Sequence, residues 1–245
     1  MGRICLVSGS SRGIGKGIAS VLIREGYTVY ITGRNEECLK QAQADLGMLA
    51  HSIKADFCSS DEIKSVLEQI CENEGGLDLV VANVGSGKSI PGADVSLQEY
   101  RRVFDLNFFP TVDLCHQALN YLREGGHLVC IGSIAGSEAL GAPVPYASAK
   151  SAVVSFAKQL APQISGRDLR VNVVSPGNIM FPGSTWDEKM NKNAQNTLNY
   201  VQSNVPLRRF GTPEEIGEAV FFLDRCTFTT GENLVVDGGQ TRGVL

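Results

Sequence analysis

Ser8-Gly9-Ser10-Ser11-Arg12-Gly13-Ile14-Gly15 is a glycine-rich stretch that separates two segments of different hydrophobic pattern. Residues 4–7, before it, are a short apolar run that is typical of a buried strand. Residues 13–25, after it, carry apolar side chains at helical spacing. The stretch is therefore predicted to lead from a strand into a helix, and residues 8–15 are called the glycine turn below.

The glycine turn is a candidate phosphate-binding site. A helix that begins there points free backbone N–H groups and the positive end of its dipole at a ligand, and glycines let the ligand come close. Three glycines in such a turn can also serve tight packing alone. The candidate cofactor contacts in the turn are Gly9, Ser11, Arg12, Gly13, Ile14 and Gly15.

A rival pattern covers the same residues, because residues 9–13 also match the Gly-x-Ser-x-Gly nucleophile elbow of hydrolases. An elbow serine needs an oxyanion donor from an earlier strand-to-helix loop, and no strand is predicted before residue 4. A serine hydrolase with Ser11 as its nucleophile is therefore the less favoured alternative.

The alternation of strand and helix recurs along the chain. The predicted strands are apolar throughout, which is typical of a parallel sheet covered by helices on both faces. We predict one α/β domain over residues 1–245, built on a doubly wound Rossmann-type parallel sheet. The predicted strands are 4–7, 27–31, 51–55, 77–82, 127–131, 169–174 and 234–236, and the predicted helical segments begin at residues 13, 36, 59, 96, 145 and 213.

Residues 178–205 interrupt this pattern with a polar stretch that contains a candidate helix from Trp186 to Val201. Long insertions between regular elements are often lids over an active site. We predict a substrate lid over residues 178–205. The alternative is a surface excursion without a role.

The composition excludes several classes of protein. The chain has 245 residues, 22 Lys+Arg against 26 Asp+Glu, a net charge of −4 and 43% hydrophobic residues, which argues against binding nucleic acid through a basic face. No apolar run reaches the roughly 18 residues of a membrane-spanning helix, so we expect a cytoplasmic protein. Seven cysteines without a Cys-x-x-Cys pair predict neither a disulfide framework nor a metal site.

The end of the second predicted strand bears on the choice of cofactor. Dinucleotide folds that bind NAD place an acidic residue there, but this strand ends Ile31-Thr32-Gly33-Arg34. Arg34 and Arg12 would make charge-assisted contacts with a 2′-phosphate, so NADP(H) is preferred over NAD(H). The alternative is that Arg34 only begins a solvated helix.

Tyr146 and Lys150 are four residues apart near the start of a predicted helix, so both side chains project from one face. A free tyrosine has a pKa of about 10, and a nearby ammonium lowers it by stabilising the phenolate. The pair is a candidate proton-transfer site, although such pairs are also common on surface helices.

Taken together, these features resemble the classical short-chain dehydrogenase/reductase family over essentially the whole chain. The resemblance rests on the glycine turn, Asp56, Asn83 with Gly85, Asn107, Ser133, Tyr146 with Lys150, Pro176-Gly177 and residues 236–239.

The resemblance implies a catalytic tetrad of Asn107, Ser133, Tyr146 and Lys150. In this family pattern Ser133 orients the substrate carbonyl and Tyr146 exchanges the proton. Lys150 holds the nicotinamide ribose and lowers the pKa of Tyr146, while Asn107 keeps a water that extends the proton relay.

The resemblance also implies the remaining cofactor contacts. Asp56 accepts from the adenine amino group, Asn83 lines the adenosine ribose, and Gly85 lets the cofactor pass. Ile179, after Pro176 and Gly177, presents backbone groups to the carboxamide. One position departs from the family pattern, since Phe181 stands where many relatives have a threonine.

The activity implied is NADP(H)-dependent reduction of a ketone or aldehyde to an alcohol, or the reverse. A sugar-like or hydroxylated ketone and a 3-oxoacyl thioester both stay open, and so does a noncatalytic NADPH-binding module. The loops expected to shape the substrate cavity are 85–95, 134–145 and 178–205. Lys88 and the pair Arg208-Arg209 are candidate cations for an anionic substrate.

Relatives of this size usually form homodimers or homotetramers. The resemblance places the contacts on the long helices near residues 97–123 and 144–164 and on the last strand. Beyond a small-molecule substrate and further copies of itself, no partner is expected.

Overall fold

One parallel sheet organises residues 2–243, the part of the chain that the computed structural model describes. In space the strands follow the order β3-β2-β1-β4-β5-β6-β7, so the chain leaves β1 first in one direction and then in the other. This order confirms the predicted doubly wound Rossmann-type sheet. The strands are β1 (Ile4–Val7), β2 (Thr28–Gly33), β3 (Ala50–Lys54), β4 (Leu77–Ala82), β5 (Leu122–Ile131), β6 (Arg170–Pro176) and β7 (Asn233–Val236).

Helices cover both faces of the sheet, and several begin at a side-chain cap. The Ser59, Ser96 and Thr212 side chains each accept a hydrogen bond from a backbone N–H of the helix that follows. The helices are α1 (Gly13–Arg24), α2 (Glu36–Leu46), α3 (Ser60–Glu74), α4 (Leu97–Asn107), α5 (Phe109–Ala118), α6 (Val144–Ile164), α7 (Thr185–Lys192), α8 (Ala194–Asn204) and α9 (Pro213–Arg225).

Alternate residues along a strand belong to two different hydrophobic clusters, one on each face of the sheet. In β1, Ile4 and Leu6 join the cluster under α3, α5 and α6, whereas Cys5 and Val7 join the cluster under α1, α2 and α9. All four β1 residues are buried. Burial on both faces is the reason that the strands read as continuous apolar runs.

The helical segment predicted over residues 96–123 is two helices and the start of a strand. Pro110 lies in the first turn of α5 and has no N–H to donate to the preceding turn, so the helix breaks between Asn107 and Phe109. Strand β5 begins at Leu122, before the predicted residue 127, and its pairing with β4 shifts register near this start. The prediction missed these first residues because they include a polar and glycine stretch.

Residues 178–205, called the lid below after their predicted role, contain two helices instead of the single one predicted over 186–201. The break falls at Asn193, whose extended backbone leaves α7 and whose side chain caps α8 by accepting from Asn196 N. Trp186 of α7 stacks on Tyr200 of α8 with ring centroids 5.3 Å apart, and it contacts Phe210 at 5.5 Å. The two lid helices therefore share a small aromatic core of their own.

No helix within residues 2–243 combines the length and apolar character needed to cross a bilayer. Over the same residues, no group of three or more His, Cys, Asp or Glu side chains is placed to hold a metal ion.

Candidate active site

A cleft runs along the carboxyl ends of the strands, where the loops after β1 and β4 diverge to opposite sides of the sheet. This switch point is the usual ligand site of doubly wound folds. Two adjoining cavities make up the cleft, a first cavity of about 260 Å³ and a second of about 380 Å³. Both are lined by Gly9, Arg12, Asn83, Gly85 and Ser86.

The first cavity brings together the four side chains of the predicted tetrad. Ser133 follows β5, Asn107 ends α4, and Tyr146 and Lys150 lie on the first turns of α6. All four line this one cavity, although they come from three separate parts of the chain.

Lys150 is buried, with 4% of its surface exposed, and its Nζ donates to the Ile131 carbonyl at 2.8 Å. Burial lowers the pKa of Lys150 to about 8, because the ammonium loses solvation. The side chain is therefore mainly charged at neutral pH and is held in one position.

The predicted effect of Lys150 on the pKa of Tyr146 stays a prediction. Burial raises the pKa of Tyr146 above its usual 10, and the Ser133 hydroxyl only partly opposes the rise. The Lys150 ammonium is instead directed at the Ile131 carbonyl. A raised pKa keeps the phenol protonated at neutral pH, which suits a proton donor.

Asn107 braces the loop after β4 with both ends of its amide. Its Oδ1 accepts from Ser86 N at 2.8 Å and its Nδ2 donates to the Val103 carbonyl at 2.9 Å. A Cβ added to Gly85 would lie 2.9 Å from Asn107 Oδ1 and 3.5 Å from Lys150 Nζ, so only glycine fits there. The relay water assigned to Asn107 stays a prediction.

The glycine turn is held by buried polar groups and close approaches. Asn83 Nδ2 donates to the carbonyls of Ser8 and Gly9 at 2.9 and 3.0 Å, so this side chain is a strut of the turn as well as a lining residue. A Cβ on Gly15 would lie 2.6 Å from the Gly9 carbonyl oxygen. Arg12, the residue before α1, makes no side-chain cap, which leaves the N–H groups of the helix free for a ligand.

The second cavity contains the residues predicted to meet the adenosine end of a cofactor. Ser11, Arg12, Arg34 and Asp56 all line it. Arg34 Nη1 lies 3.8 Å from Asp56 Oδ2, and both side chains are exposed, by 74% and 39%, so the ion pair is weak. Asp56 Oδ1 also accepts from Cys58 N at 3.0 Å.

Ile179 is the predicted contact that does not line either cavity of the cleft. Its side chain is buried in the hydrophobic cluster under α1, α2 and α9, and its backbone forms an isolated bridge with Gly211. It lines a separate small cavity of about 110 Å³. Pro176 and Gly177, by contrast, do line the first cavity.

Two contacts between the lid and the glycine turn have no counterpart in the sequence pattern. The Phe181 ring lies against Gly13, where a Cβ would be 2.5 Å from Phe181 Cε2. Arg12 reaches the lid in return, since a Cβ on Gly183 would be 2.9 Å from Arg12 Nη1. In the sequence, the phenylalanine at position 181 in place of the family's threonine indicated that this part of the cleft departs from the family pattern.

Comparisons with known proteins agree with this geometry. A family model described as Enoyl-(Acyl carrier protein) reductase matches residues 9–241. The chain is 34% identical over 242 residues to carbonyl reductase family member 4 of Xenopus laevis, covering 98% of each protein. It is 32% identical over 247 residues to the 3-oxoacyl-(acyl-carrier-protein) reductase FabG of Chlamydia muridarum, covering 97% of each.

A solved structure, the Pseudomonas aeruginosa RhlG/NADP active-site complex, matches the fold with a TM-score of 0.89. The two chains are 29% identical, and the match covers 98% of this chain and 96% of that one. The sheet order, the cleft and these matches define an α/β oxidoreductase. The chain belongs to the short-chain dehydrogenase/reductase family, as its motifs predicted.

Proposed function

We propose that this protein reduces a ketone or aldehyde to an alcohol with NADPH, or catalyses the reverse oxidation. The observation that carries the proposal is the convergence of Asn107, Ser133, Tyr146 and Lys150 on the cavity that also meets the glycine turn. A module that only binds a nucleotide has no need of a buried lysine one helical turn from a half-buried tyrosine. The noncatalytic alternative is therefore disfavoured.

The cleft fits a nicotinamide dinucleotide along its length. The uncapped start of α1 lies at the junction of the two cavities and suits a diphosphate, and the similar RhlG structure is an NADP complex. NADP(H) is favoured over NAD(H) because Arg34 and Arg12 line the second cavity and β2 ends without a carboxylate. The nearby carboxylate is that of Asp56, but its Oδ2 pairs with Arg34 and its Oδ1 accepts a hydrogen bond from Cys58 N.

The bound cofactor supplies the hydride, and the residues of the cavity position the carbonyl and deliver the proton. Tyr146 donates its proton to the carbonyl oxygen as negative charge develops there. Ser133 Oγ already accepts from Ala135 N at 3.2 Å, which leaves the hydroxyl proton for the same oxygen. The Lys150 ammonium adds a fixed positive charge beside the reacting atoms.

The wall of the first cavity supports a polar substrate. Hydroxyl side chains surround the tetrad, from Ser86 on one side to Ser184 and Thr185 on the other. We infer a sugar-like or hydroxylated ketone as the preferred substrate. The second candidate is a 3-oxoacyl thioester, favoured by the name of the Chlamydia relative.

Self-association is part of the proposal. Leu97 and Phe109 on α4 and α5 are 66% and 53% exposed, and Phe222 on α9 is 57% exposed. Apolar side chains on these helices suit a homodimer or homotetramer interface. A single domain over residues 1–245 and a cytoplasmic location stay predictions.

The test combines binding with turnover. Trp186 is the one tryptophan of the sequence and lies in the lid, so energy transfer from it reports binding of NADPH and NADH. We expect tighter binding of NADPH, and oxidation of NADPH in the presence of hydroxylated ketones.

The variant Tyr146→Phe should lower turnover by about 10²- to 10⁴-fold, since the proton donor is lost, while NADPH affinity changes little. Tyr121→Phe, which removes a hydroxyl before β5 and away from the cavity, is the control. A Tyr146→Phe protein with the full rate would refute the proposal. Labelling of Ser11 by a fluorophosphonate would favour the hydrolase alternative.

A further inference from the structure

An ion pair joins the two sides of the first cavity at its rim. Lys88 Nζ, on the loop after β4, lies 2.7 Å from Glu188 Oε1 on lid helix α7. Lys88 lines the cavity, and both side chains are partly exposed, by 69% and 41%. The pair therefore bridges the opening between cavity and solvent.

A second contact lies beside the ion pair. A Cβ on Gly87 would be 3.2 Å from Thr185 Oγ1, so the backbone of the loop touches the first residue of α7. Gly87 and Thr185 both line the cavity. Two neighbouring contacts thus join the loop after β4 to α7 at the edge of the cavity that contains the tetrad.

On the loop side of these contacts, Glu99 and Arg102 hold the loop after β4 in place. The Glu99 carboxylate pairs with Arg102 through two hydrogen bonds of 2.7 Å and accepts from Ile90 N at 3.0 Å. Arg102 in turn donates to the Lys88 carbonyl at 3.1 Å. Hydrogen bonds from Arg102 lower the pKa of Glu99 to about 2, so this clamp keeps its charge throughout the working pH range.

The lid side is braced from behind. Trp186, two residues before Glu188, stacks on Tyr200, and Lys189 lies over the Trp186 ring at 4.1 Å. Gln240 donates to the Tyr200 hydroxyl at 3.2 Å and accepts from Asn178 Nδ2 at 2.7 Å, which ties α8 to the base of the lid. Glu188 therefore lies on a helix that these contacts hold in place.

The ion pairs also distinguish two of the predicted cations, Lys88 and Arg209. Arg209 is paired with Glu215 at 2.6 Å, on a surface that does not line the first cavity. Lys88 does line it, but Glu188 neutralises its charge. An anionic substrate would have to displace Glu188, whereas a neutral polar substrate meets both a donor and an acceptor.

We propose that Lys88 and Glu188 are specificity-determining residues, which close the rim over a compact free ketone and disfavour a 3-oxoacyl chain tethered to a carrier. This inference rests on the proposed function. A tethered thioester must keep its arm in the opening during the reaction, and an alkyl chain needs about 3.5–4 Å to each neighbouring atom. A contact of 2.7 Å leaves no such passage between the Lys88 and Glu188 side chains. A free ketone enters while the weak, exposed pair is open and is then enclosed.

The experiment compares erythrulose, a free hydroxyketone, with acetoacetyl-pantetheine, a tethered 3-oxoacyl thioester. The wild type should have the higher kcat/KM for erythrulose. Lys88→Ala and Glu188→Ala should each raise the thioester-to-ketone ratio of kcat/KM by roughly two- to fivefold, the size expected for an exposed ion pair. The swapped double variant Lys88→Glu with Glu188→Lys should restore the wild-type ratio.

Lys40→Ala is the matched control, because it removes the 2.8 Å pair with Glu36 on α2, away from the cavity. Acrylamide quenching of Trp186 fluorescence gives a readout without turnover, and it should increase in Lys88→Ala but not in Lys40→Ala. An unchanged substrate ratio in both rim variants overturns this inference alone. A wild type that prefers the thioester overturns this inference and the substrate preference inferred above, but not the NADPH-dependent reduction itself. NADPH binding without turnover of either substrate overturns the proposed function, and this inference with it.

Discussion

At position 181 a phenyl ring takes the place of the threonine that the family pattern leads one to expect, and it packs on Gly13 of the glycine turn. Gly13 is the first residue of α1, where backbone N–H groups are free for a phosphate. The ring lines the first cavity, so it competes for the same space as a diphosphate and offers no hydrogen bond.

Phe181→Thr should therefore tighten NADPH binding by roughly three- to tenfold, because the ring is removed from Gly13 and a hydroxyl is gained. Energy transfer from Trp186 to NADPH measures the affinity. Phe181→Leu separates the two causes, since it shortens the side chain without adding a hydroxyl. Equal or weaker NADPH binding in Phe181→Thr would contradict the role assigned to the ring.

The tetrad shows what spacing predicts about single residues and what it does not. The four-residue interval between Tyr146 and Lys150 places them on one face of α6, and the structure confirms that they share a cavity. The effect of burial, which raises the pKa of Tyr146, could not be predicted from spacing, because burial depends on residues that are distant in sequence. The burial of the Ile179 side chain in a hydrophobic cluster was not predicted for the same reason, and its predicted backbone contact stays a prediction.

Among the helices, α1 and α9 make the closest crossing that bears on the site. A Cβ on Gly17 of α1 would lie 2.3 Å from Pro213 Cβ and 2.5 Å from the Pro213 carbonyl carbon. Backbone atoms cannot move aside as the end of a flexible side chain can. This crossing sets where α1, and so the phosphate end of the cleft, lies against the sheet.

Gly17→Ala should lower the free energy of unfolding by about 1 to 3 kcal/mol, despite the better helix propensity of alanine, because the added methyl overpacks the crossing. Urea unfolding measures the change. Gly166→Ala is the control, since a Cβ there would have no neighbour within 4 Å. Equal stability of the two variants would contradict this prediction, because it would show that α9 moves away from the added methyl at little cost.

Helix and strand types were predicted well, and boundaries less well. Hydrophobic period placed each strand of the sheet because both faces of the sheet are buried. The breaks at Pro110 and Asn193 were missed, although proline and asparagine are both residues that end or begin helices. The start of β5 was missed because residues 123–126 carry no apolar signal.

Across the whole molecule, a buried polar network joins β5, β6 and α9. Asn172 Nδ2 donates to the Thr229 carbonyl and to His127 Nε2, both at 2.9 Å, so this ring nitrogen is the acceptor. The imidazole proton is therefore on Nδ1, 3.3 Å from Asp224 Oδ1. Tyr27 also donates to Asp224, at 2.5 Å.

This network predicts a loss of stability in mild acid. Burial lowers the pKa of His127 from 6.5 to about 4, so the unfolded chain takes up a proton at higher pH than the folded one. The contribution is complete above pH 6.5 and disappears as the pH falls towards 4, by at most about 3 kcal/mol. Urea unfolding between these pH values measures it.

His127→Gln should flatten the pH dependence over that range, although the protein is less stable at neutral pH. His116→Gln is the control, because it makes the same substitution at an exposed position of α5, outside the network. A wild type whose stability is constant from pH 6.5 to 4 would contradict a neutral buried His127.

The amino-acid sequence by itself determined the parallel sheet and the glycine turn, because these depend on local period, and the spacing of Tyr146 and Lys150 placed them on one face of a helix. The tetrad as a whole came from the family resemblance, and its catalytic role stays a prediction. Only the tertiary structure decided the contact of Phe181 with Gly13, the ion pair between Lys88 and Glu188, and the raised pKa of Tyr146. Each of these joins residues from separate loops and helices. Their distances and their burial arise only when the whole chain packs.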